Sequence, residues 1–410
     1  MRVASRYMES HCWGKKFSRN LNKVGVDNAY EFKLIDHFEN QCDIKADNLF
    51  GSRDYLRLFE DSGNIKYLLV EQSGVAIGLV PIFLSAFDLK YLEKRLADHC
   101  ASSKAFLNLL ESKRKIAIVG NPFSCVESIS VNEIVDQTLC EAVIRHLERA
   151  MDQEEFGDKV EALVFKDFSN GENAWTRSLE KLGFHKLETE PNMSMIVSPD
   201  WEELANYKAD MKTKFRTKAK SVFKKSSDLI CVDLQADQIG DEEKVIKGLY
   251  ENVCDNAEFN LGKFDISLLK ELKKNMPNDF FIKGYYYEGK MIGFASGFEN
   301  VRTLEAFYVG FDYTLNKDLA IYQRMLYDYV EEAIKRKLVK LNFSRTAANL
   351  KNAVGAMPEQ TFCYFKHKKS VYNLMYKIVS GEKETKPVRY KAPFKKEYLN
   401  QMNKITLAEY

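Results

Sequence analysis

Two stretches of the chain cluster their apolar residues in the same way. Residues 66–83 (KYLLVEQSGVAIGLVPIF) read as an apolar strand, a turn at Ser73-Gly74 and a second apolar strand. Residues 280–298 (FFIKGYYYEGKMIGFASGF) repeat this order around a turn at Glu288-Gly289. The shared core G-x-x-I-G-[LF] runs from Gly74 to Leu79 and from Gly289 to Phe294, about half the chain apart.

Helix-like sequence precedes each hairpin. Residues 52–59 carry apolar positions at helical spacing behind Ser52, an N-cap type, and residues 245–256 and 265–275 do the same before the second hairpin. After the first hairpin come a long amphipathic stretch (131–151) and a short apolar strand (162–165). After the second come a strand (304–311), a helix (319–335) and a buried strand (340–343). Both halves therefore predict an alternating α/β order, and the chain reads as one fold written twice. The join falls at 193–234, where Met193-Ser194-Met195-Ile196-Val197 is expected to close the first sheet.

Composition supports two cores. The chain has 410 residues, 45% of them hydrophobic and 12% aromatic, enough for two domains. Sixty-one basic and 59 acidic residues leave a net charge of +2, which argues against an overall polyanion binder and makes any basic patch local. The stretch 75–87 is too short for a membrane span and holds Gly78 and Pro81, and the first residues lack a secretory apolar core. The cysteines Cys12, Cys42, Cys100, Cys125, Cys140, Cys231, Cys254 and Cys363 have no C-x-x-C spacing, and the six histidines show no metal-ligand pattern. These features predict a cytoplasmic protein with reduced thiols and no bound metal.

The run Leu179-Glu180-Lys181-Leu182-Gly183-Phe184 resembles the helix-to-strand ending of the GNAT acyltransferase fold, where a glycine lets the chain turn and a phenylalanine anchors the next strand. The tandem order, with residues 193–197, Trp201, Tyr207 and then a basic helix, resembles the FemAB-like transferases, and more narrowly the BioF-like acetyltransferases. In the second half Ile321-Tyr322, the helix at 326–335, Arg345-Thr346-Ala347, Lys351 and Gly355-Ala356 are similar to that branch's strand-helix-strand core. The resemblance spans about 45–380. It implies an α/β (α+β) fold of two tandem GNAT-like domains, each a mixed, mostly antiparallel sheet flanked by helices. The expected division is an N-terminal extension (1–45), a first domain (46–198), a basic linker region (199–234), a second, catalytic domain (235–380) and a tail (381–410).

The chain departs from ordinary GNAT enzymes at one place. Their Q/R-x-x-G-x-G/A loop offers backbone N–H groups to the CoA pyrophosphate, whereas residues 314–320 here read TLNKDLA, without glycine. The donor therefore stays open between acyl-CoA, an acyl carrier protein and an aminoacyl-tRNA, the last being the donor of the Fem peptidyltransferases. No permanently bound cofactor is expected.

Direct acyl transfer to an amine needs a base, because an ammonium of pKa about 10 does not attack. Glu305, a carboxylate in the apolar strand 303–310, is the candidate base, since burying it without a role is costly. Tyr308 is the candidate acid for the leaving group, although strict alternation puts it on the face opposite Glu305. Gly310 marks a candidate bulge that would free an N–H for the carbonyl oxygen. Arg345 and Lys351 form a candidate clamp for an anionic group, and Asn316 and Tyr322 flank the donor loop. Phe365-Lys366 resembles the Phe-Lys pair in the closing strands of the second Fem domain. Cys363 is a weaker nucleophile candidate.

Residues 207–225 carry Lys208, Lys212, Lys214, Arg216, Lys218, Lys220, Lys224 and Lys225 against Asp210 alone. Such a helix would meet a phosphorylated donor, a carrier protein, tRNA or an anionic membrane surface, or simply face solvent. The leading expectation is an N-acyltransferase that passes an acyl group from a thioester to a small amine, an amino acid or a lipid precursor. The alternatives are an aminoacyl-tRNA-dependent peptidyltransferase and a non-catalytic binding protein of the same fold.

Overall fold

The computed structural model describes residues 30–37, 44, 48–88, 113–131, 135–157, 159–169, 171–256, 263–370, 373 and 390–398. Cys12, Cys42 and Cys100, and most of the expected extension and tail, lie outside them. The strands are β1 (Glu31–Ile35), β2 (Ile65–Gln72), β3 (Val75–Asp88), β4 (Lys113–Val119), β5 (Ser130–Val131), β6 (Val160–Ser169), β7 (His185–Glu188) and β8 (Asn192–Ile196). They continue as β9 (Ile230–Asp233), β10 (Phe280–Tyr287), β11 (Lys290–Asn300), β12 (Thr303–Phe311), β13 (Lys340–Asn342), β14 (Met357–Glu359) and β15 (Thr361–His367).

The two hairpins of the repeat, β2–β3 and β10–β11, form as the sequence predicts. Each turns where the glycine takes positive φ, 78° at Gly74 and 77° at Gly289. The hairpins sit in two mixed sheets, one ordered β1-β2-β3-β4-β6-β15-β7 with β5 on β3, the other β14-β8-β13-β12-β11-β10-β9. Each contains one parallel pair, β4 with β6 and β12 with β13. A helix crosses between the members of each pair, Gln137–Asp152 in the first half and Ile321–Lys335 in the second. This is the GNAT-like arrangement, present twice.

The halves exchange strands. The segment expected to close the first sheet instead lies inside the second, where β8 pairs with both β13 and β14. Conversely β15, late in the chain, inserts between β6 and β7 of the first sheet. Each sheet is thus completed by a strand from the other half. Phe365-Lys366 accordingly belongs to the first sheet, not to the closing strands of the second.

Burial follows this interlock. One core joins Phe50, Tyr55, Phe83 and Ile118 of the first half to Leu249, Leu269, Phe294 and Phe298 of the second. The outer face of the first sheet packs on helix Gln137–Asp152 through Val143 and Leu147. The outer face of the second packs on helix Ile321–Lys335 through Met325 and Val330. The basic stretch is two helices, Leu204–Asp210 and Thr213–Lys225, because Met211 turns extended and inward between them and bridges Phe394. The helix expected from 319 starts at Ile321, after Ala320 takes a left-handed φ of 49°. No helix among the described residues is long and apolar enough to cross a membrane.

Candidate functional site

The second sheet opens beside Glu305. Strands β12 and β13 pair only through Thr303–Lys340, Leu304–Leu341 and Glu305–Asn342; β13 then stops while β12 runs on to Phe311. Glu305 stands at the crotch of this fork and is 6% exposed. Asn342 Nδ2 donates to its Oε2 at 2.8 Å, and Asn342 Oδ1 accepts the Ser344 N–H at 2.9 Å. Burial pushes the Glu305 carboxyl up from 4.5 to about 7, with the Asn342 hydrogen bond acting the other way. A carboxyl that ionises near neutrality is suited to accept a proton.

A bulge lies three residues further along β12. Ala295 pairs with Val309 and Gly297 with Ala306, so Phe307 and Tyr308 together oppose Ser296. The extra residue breaks the alternation. Phe307 and Tyr308 both pack against the shared core on the side of Phe298, whereas Leu304 and Ala306 face helix Ile321–Lys335. Tyr308 therefore does not point away from Glu305's face, as strict alternation predicts. Burial raises its phenol well above the usual value, so it stays protonated at neutral pH, and Tyr55 and Cys125 are among the groups acting on it. Ser296 ties the bulge down by donating to the Tyr308 carbonyl at 2.7 Å.

Gly310 is not the bulge. It pairs in register with Phe294, and a Cβ there would come within 2.4 Å of the Phe294 ring and 2.6 Å of the Leu249 carbonyl carbon. Its role is to let helix Glu243–Asp255 lie close on β12.

Arg345 follows β13 in a tightly bent loop, and Lys351 lies in the short helix Ala348–Ala353 just after it. Ser344, Thr346 and Ala347 take φ of 61°, 67° and 48°, all left-handed and none a glycine. Lys351, 5% exposed, holds the loop by donating to the Ser344 carbonyl at 3.2 Å and to the Arg345 carbonyl. Burial pushes its ammonium down to about 8. Arg345 reaches across to the first half, where Nη2 pairs with Asp167 and bonds Thr361 Oγ1 at 3.1 Å, and Nε bonds the Glu190 carbonyl at 3.1 Å. Asp167 also pairs with Lys166, which donates to the carbonyls of Asn121 at 2.9 Å and Ser124 at 2.8 Å. Lys166-Asp167 is a bulge too, the pair opposing Cys363 of β15. A continuous polar chain thus runs from Glu305 through Asn342, Ser344 and Arg345 to the interior of the first half.

The structure brings Glu305, Arg345 and Lys351 into this chain and puts Tyr308 on the same side of β12 as Glu305. Asn316 serves the backbone, its Oδ1 accepting the Tyr322 N–H at 2.9 Å at the start of helix Ile321–Lys335. Tyr322 stacks on Phe311 at 5.6 Å. Phe365 packs against the shared core, while Lys366 points to the opposite face, pairing with Glu148 and bonding the Leu182 carbonyl at 2.7 Å. Lys366 is thus separated from Glu305 by the first sheet. Burial raises the Cys363 thiol, which disfavours a nucleophilic thiolate.

Asn121, Lys166, Asp167 and Asn342 were not among the candidates. Lys166-Asp167 was visible by the argument that singled out Glu305: two charges inside a strand that is otherwise apolar from Ala162 to Phe168. Asn342 offered the same signal more weakly, between Leu341 and Phe343.

No protein-family model matches the sequence, and no curated protein matches it. Solved structures do resemble its fold. "Crystal structure of FemX" aligns with a TM-score of 0.51 and 12% identity, covering 84% of this chain and 99% of that one. "The structure of L-PGS from Bacillus licheniformis" aligns at 0.46 and 11%, covering 80% and 92%. A GCN5-related N-acetyltransferase from Sphaerobacter thermophilus aligns at 0.40 and 11%, covering 73% and 80%. Two interlocked mixed sheets, each with a GNAT-like strand order, give this chain a fold that is shared along almost the whole length of the FemX structure.

Proposed function

We propose that the protein transfers an acyl or aminoacyl group to an amine by direct attack, with Glu305 accepting a proton from the substrate ammonium so that the free amine attacks. The observation that carries this is a buried carboxyl raised to about 7 at the opening between two parallel strands. The substrate ammonium would give one proton to Glu305, the free amine would attack the activated carbonyl, and the second nitrogen proton would leave as the tetrahedral intermediate collapses, replacing the one that Tyr308 gives up. Tyr308, protonated and displayed on the same side by the bulge, would give a proton to the leaving thiolate or alkoxide. Arg345, paired with Asp167, and Lys351, on the Ser344 and Arg345 carbonyls, would hold the loop beside Glu305 in place rather than clamp a substrate anion, and the shared core would keep water from the reacting atoms. The fold shared with FemX supports the reading, as does the FemAB-like resemblance of the sequence.

The donor of choice is an acyl-thioester, acyl-CoA or an acyl carrier protein, and the acceptor a small amine such as an amino acid or lipid precursor. One observation favours the second reading, an aminoacyl-tRNA donor. The first turn of helix Ile321–Lys335 has the Tyr322 N–H occupied by Asn316, so one of the backbone donors that would meet a CoA pyrophosphate there is already used. Thermal shifts and transfer assays with acyl-CoAs, charged carrier protein and aminoacyl-tRNA distinguish the donors. Stabilisation by none of the three would remove the transferase reading. With the active donor, Glu305→Gln is expected to bind normally and transfer slowly.

A further inference from the structure

A concave surface away from the Glu305 fork carries its own chemistry. A groove of about 370 Å³ is lined by Lys214, Phe215 and Lys218 of helix Thr213–Lys225, by Asn349, Asn352 and Ala353 of helix Ala348–Ala353, and by Lys391. Three chain segments fix its walls. Lys212 N–H donates to the Pro393 carbonyl at 2.8 Å and Lys212 Nζ to the Ala392 carbonyl at 2.8 Å. Lys391 N–H donates to Asn352 Oδ1 at 2.9 Å. The segment holding Lys391 is thereby fastened to both helices.

The lining contains three ammonium groups and no carboxylate. Among the described residues, none of the Lys214, Lys218 or Lys391 side chains makes an ion pair or hydrogen bond. Lys214 and Lys218 stand one helical turn apart, a like-charge spacing that disfavours the helix unless something neutralises it. The Asn349 amide adds a neutral donor and Phe215, half-buried, a flat apolar wall. Three cations lining one groove suit a phosphate, and the ring suits the face of a heterocycle. The volume is that of a small-molecule pocket.

We propose that this groove binds the phosphate of a mononucleotide-sized ligand, its phosphoryl oxygens held by Lys214, Lys218 and Lys391 and its base laid against Phe215. The site is distinct from the Glu305 fork and does not depend on the transferase reading. Helix Ala348–Ala353 joins the two places, since it lines the groove through Asn349 and carries Lys351 into the polar chain.

The test is calorimetric titration of the full chain with ATP, adenosine 3′,5′-bisphosphate and inorganic phosphate at low salt, alongside a short single-stranded RNA. The nucleotides are expected to bind, with affinity falling as salt rises. Lys214→Ala, Lys218→Ala and Lys391→Ala are each expected to weaken them about tenfold, the size of one lost charge-assisted hydrogen bond. Asn349→Asp, which adds a carboxylate without removing a lysine, is expected to do at least as much. Lys220→Ala with Lys224→Ala, exposed on the same helix but outside the groove, is expected to leave binding unchanged. Three results would overturn the proposal: no nucleotide binding by the wild type, equal weakening by the Lys220/Lys224 pair, or binding of RNA alone. Failure here would leave the Glu305 assignment standing, because that is read from transfer and not from this groove.

Discussion

Replacing Glu305 with glutamine removes a titration that should be visible in stability alone. The Glu305 carboxyl is raised from 4.5 to about 7 by burial. The folded protein therefore holds a proton between these pH values that the unfolded chain has released. Stability must fall as pH rises through this window, fully present below about 4.5 and lost above about 7. At about 1.4 kcal/mol for each pH unit, the loss is about 3 kcal/mol. Glutamine keeps the shape and an acceptor for Asn342 without the charge. Urea unfolding of both proteins from pH 4.5 to 8 should show Glu305→Gln gaining about 3 kcal/mol over wild type as pH rises, since other titrations largely cancel in the difference. The groups acting on Glu305, namely Asn342, Lys340, Glu359 and Asn300, remain in both proteins. A difference that stays flat with pH would show that burial does not raise the Glu305 carboxyl.

Other perturbations address the fold and the polar chain. Gly310→Ala should destabilise by about 3 kcal/mol in chemical denaturation, because its Cβ would press on the Leu249 and Tyr250 backbone at 2.6 and 2.7 Å, which cannot rotate aside. Arg345→Met should cost about 3 kcal/mol, since it strips one partner from an Asp167 side chain with no exposure; Arg345→Met with Asp167→Asn should cost less than the sum of the two. Fragments 1–198 and 199–410 should each fail to fold alone, each lacking a strand of its sheet, and should recover native circular dichroism when co-expressed.

What the sequence made legible was local. The hairpins around Gly74 and Gly289 follow from short-range apolar pattern and turn chemistry, and Ser52 caps its helix through Oγ on the Tyr55 N–H. The strand exchange was hidden because β8 and β15 read as ordinary strands, and pairing partners so distant in sequence leave no local trace. The candidate site divides the same way. Glu305 was legible because one carboxylate interrupts an apolar strand, yet Tyr308's direction depends on a bulge that substitutes no glycine or proline to mark it. Likewise Ser344, Thr346 and Ala347 hold left-handed backbone without glycine, so nothing in their residue types announced the bend that aims Arg345 at Asp167.

In the proposed transfer Glu305 accepts a proton from the substrate amine. The pH dependence of kcat/KM with whichever donor proves active reads that role. The wild type should show an acidic limb with an apparent pKa near 7, and Glu305→Gln should lose that limb together with about a hundredfold or more of the rate while retaining donor affinity. A Glu305→Gln enzyme with unchanged rate and an unchanged pH profile would mean that Glu305 is not the base.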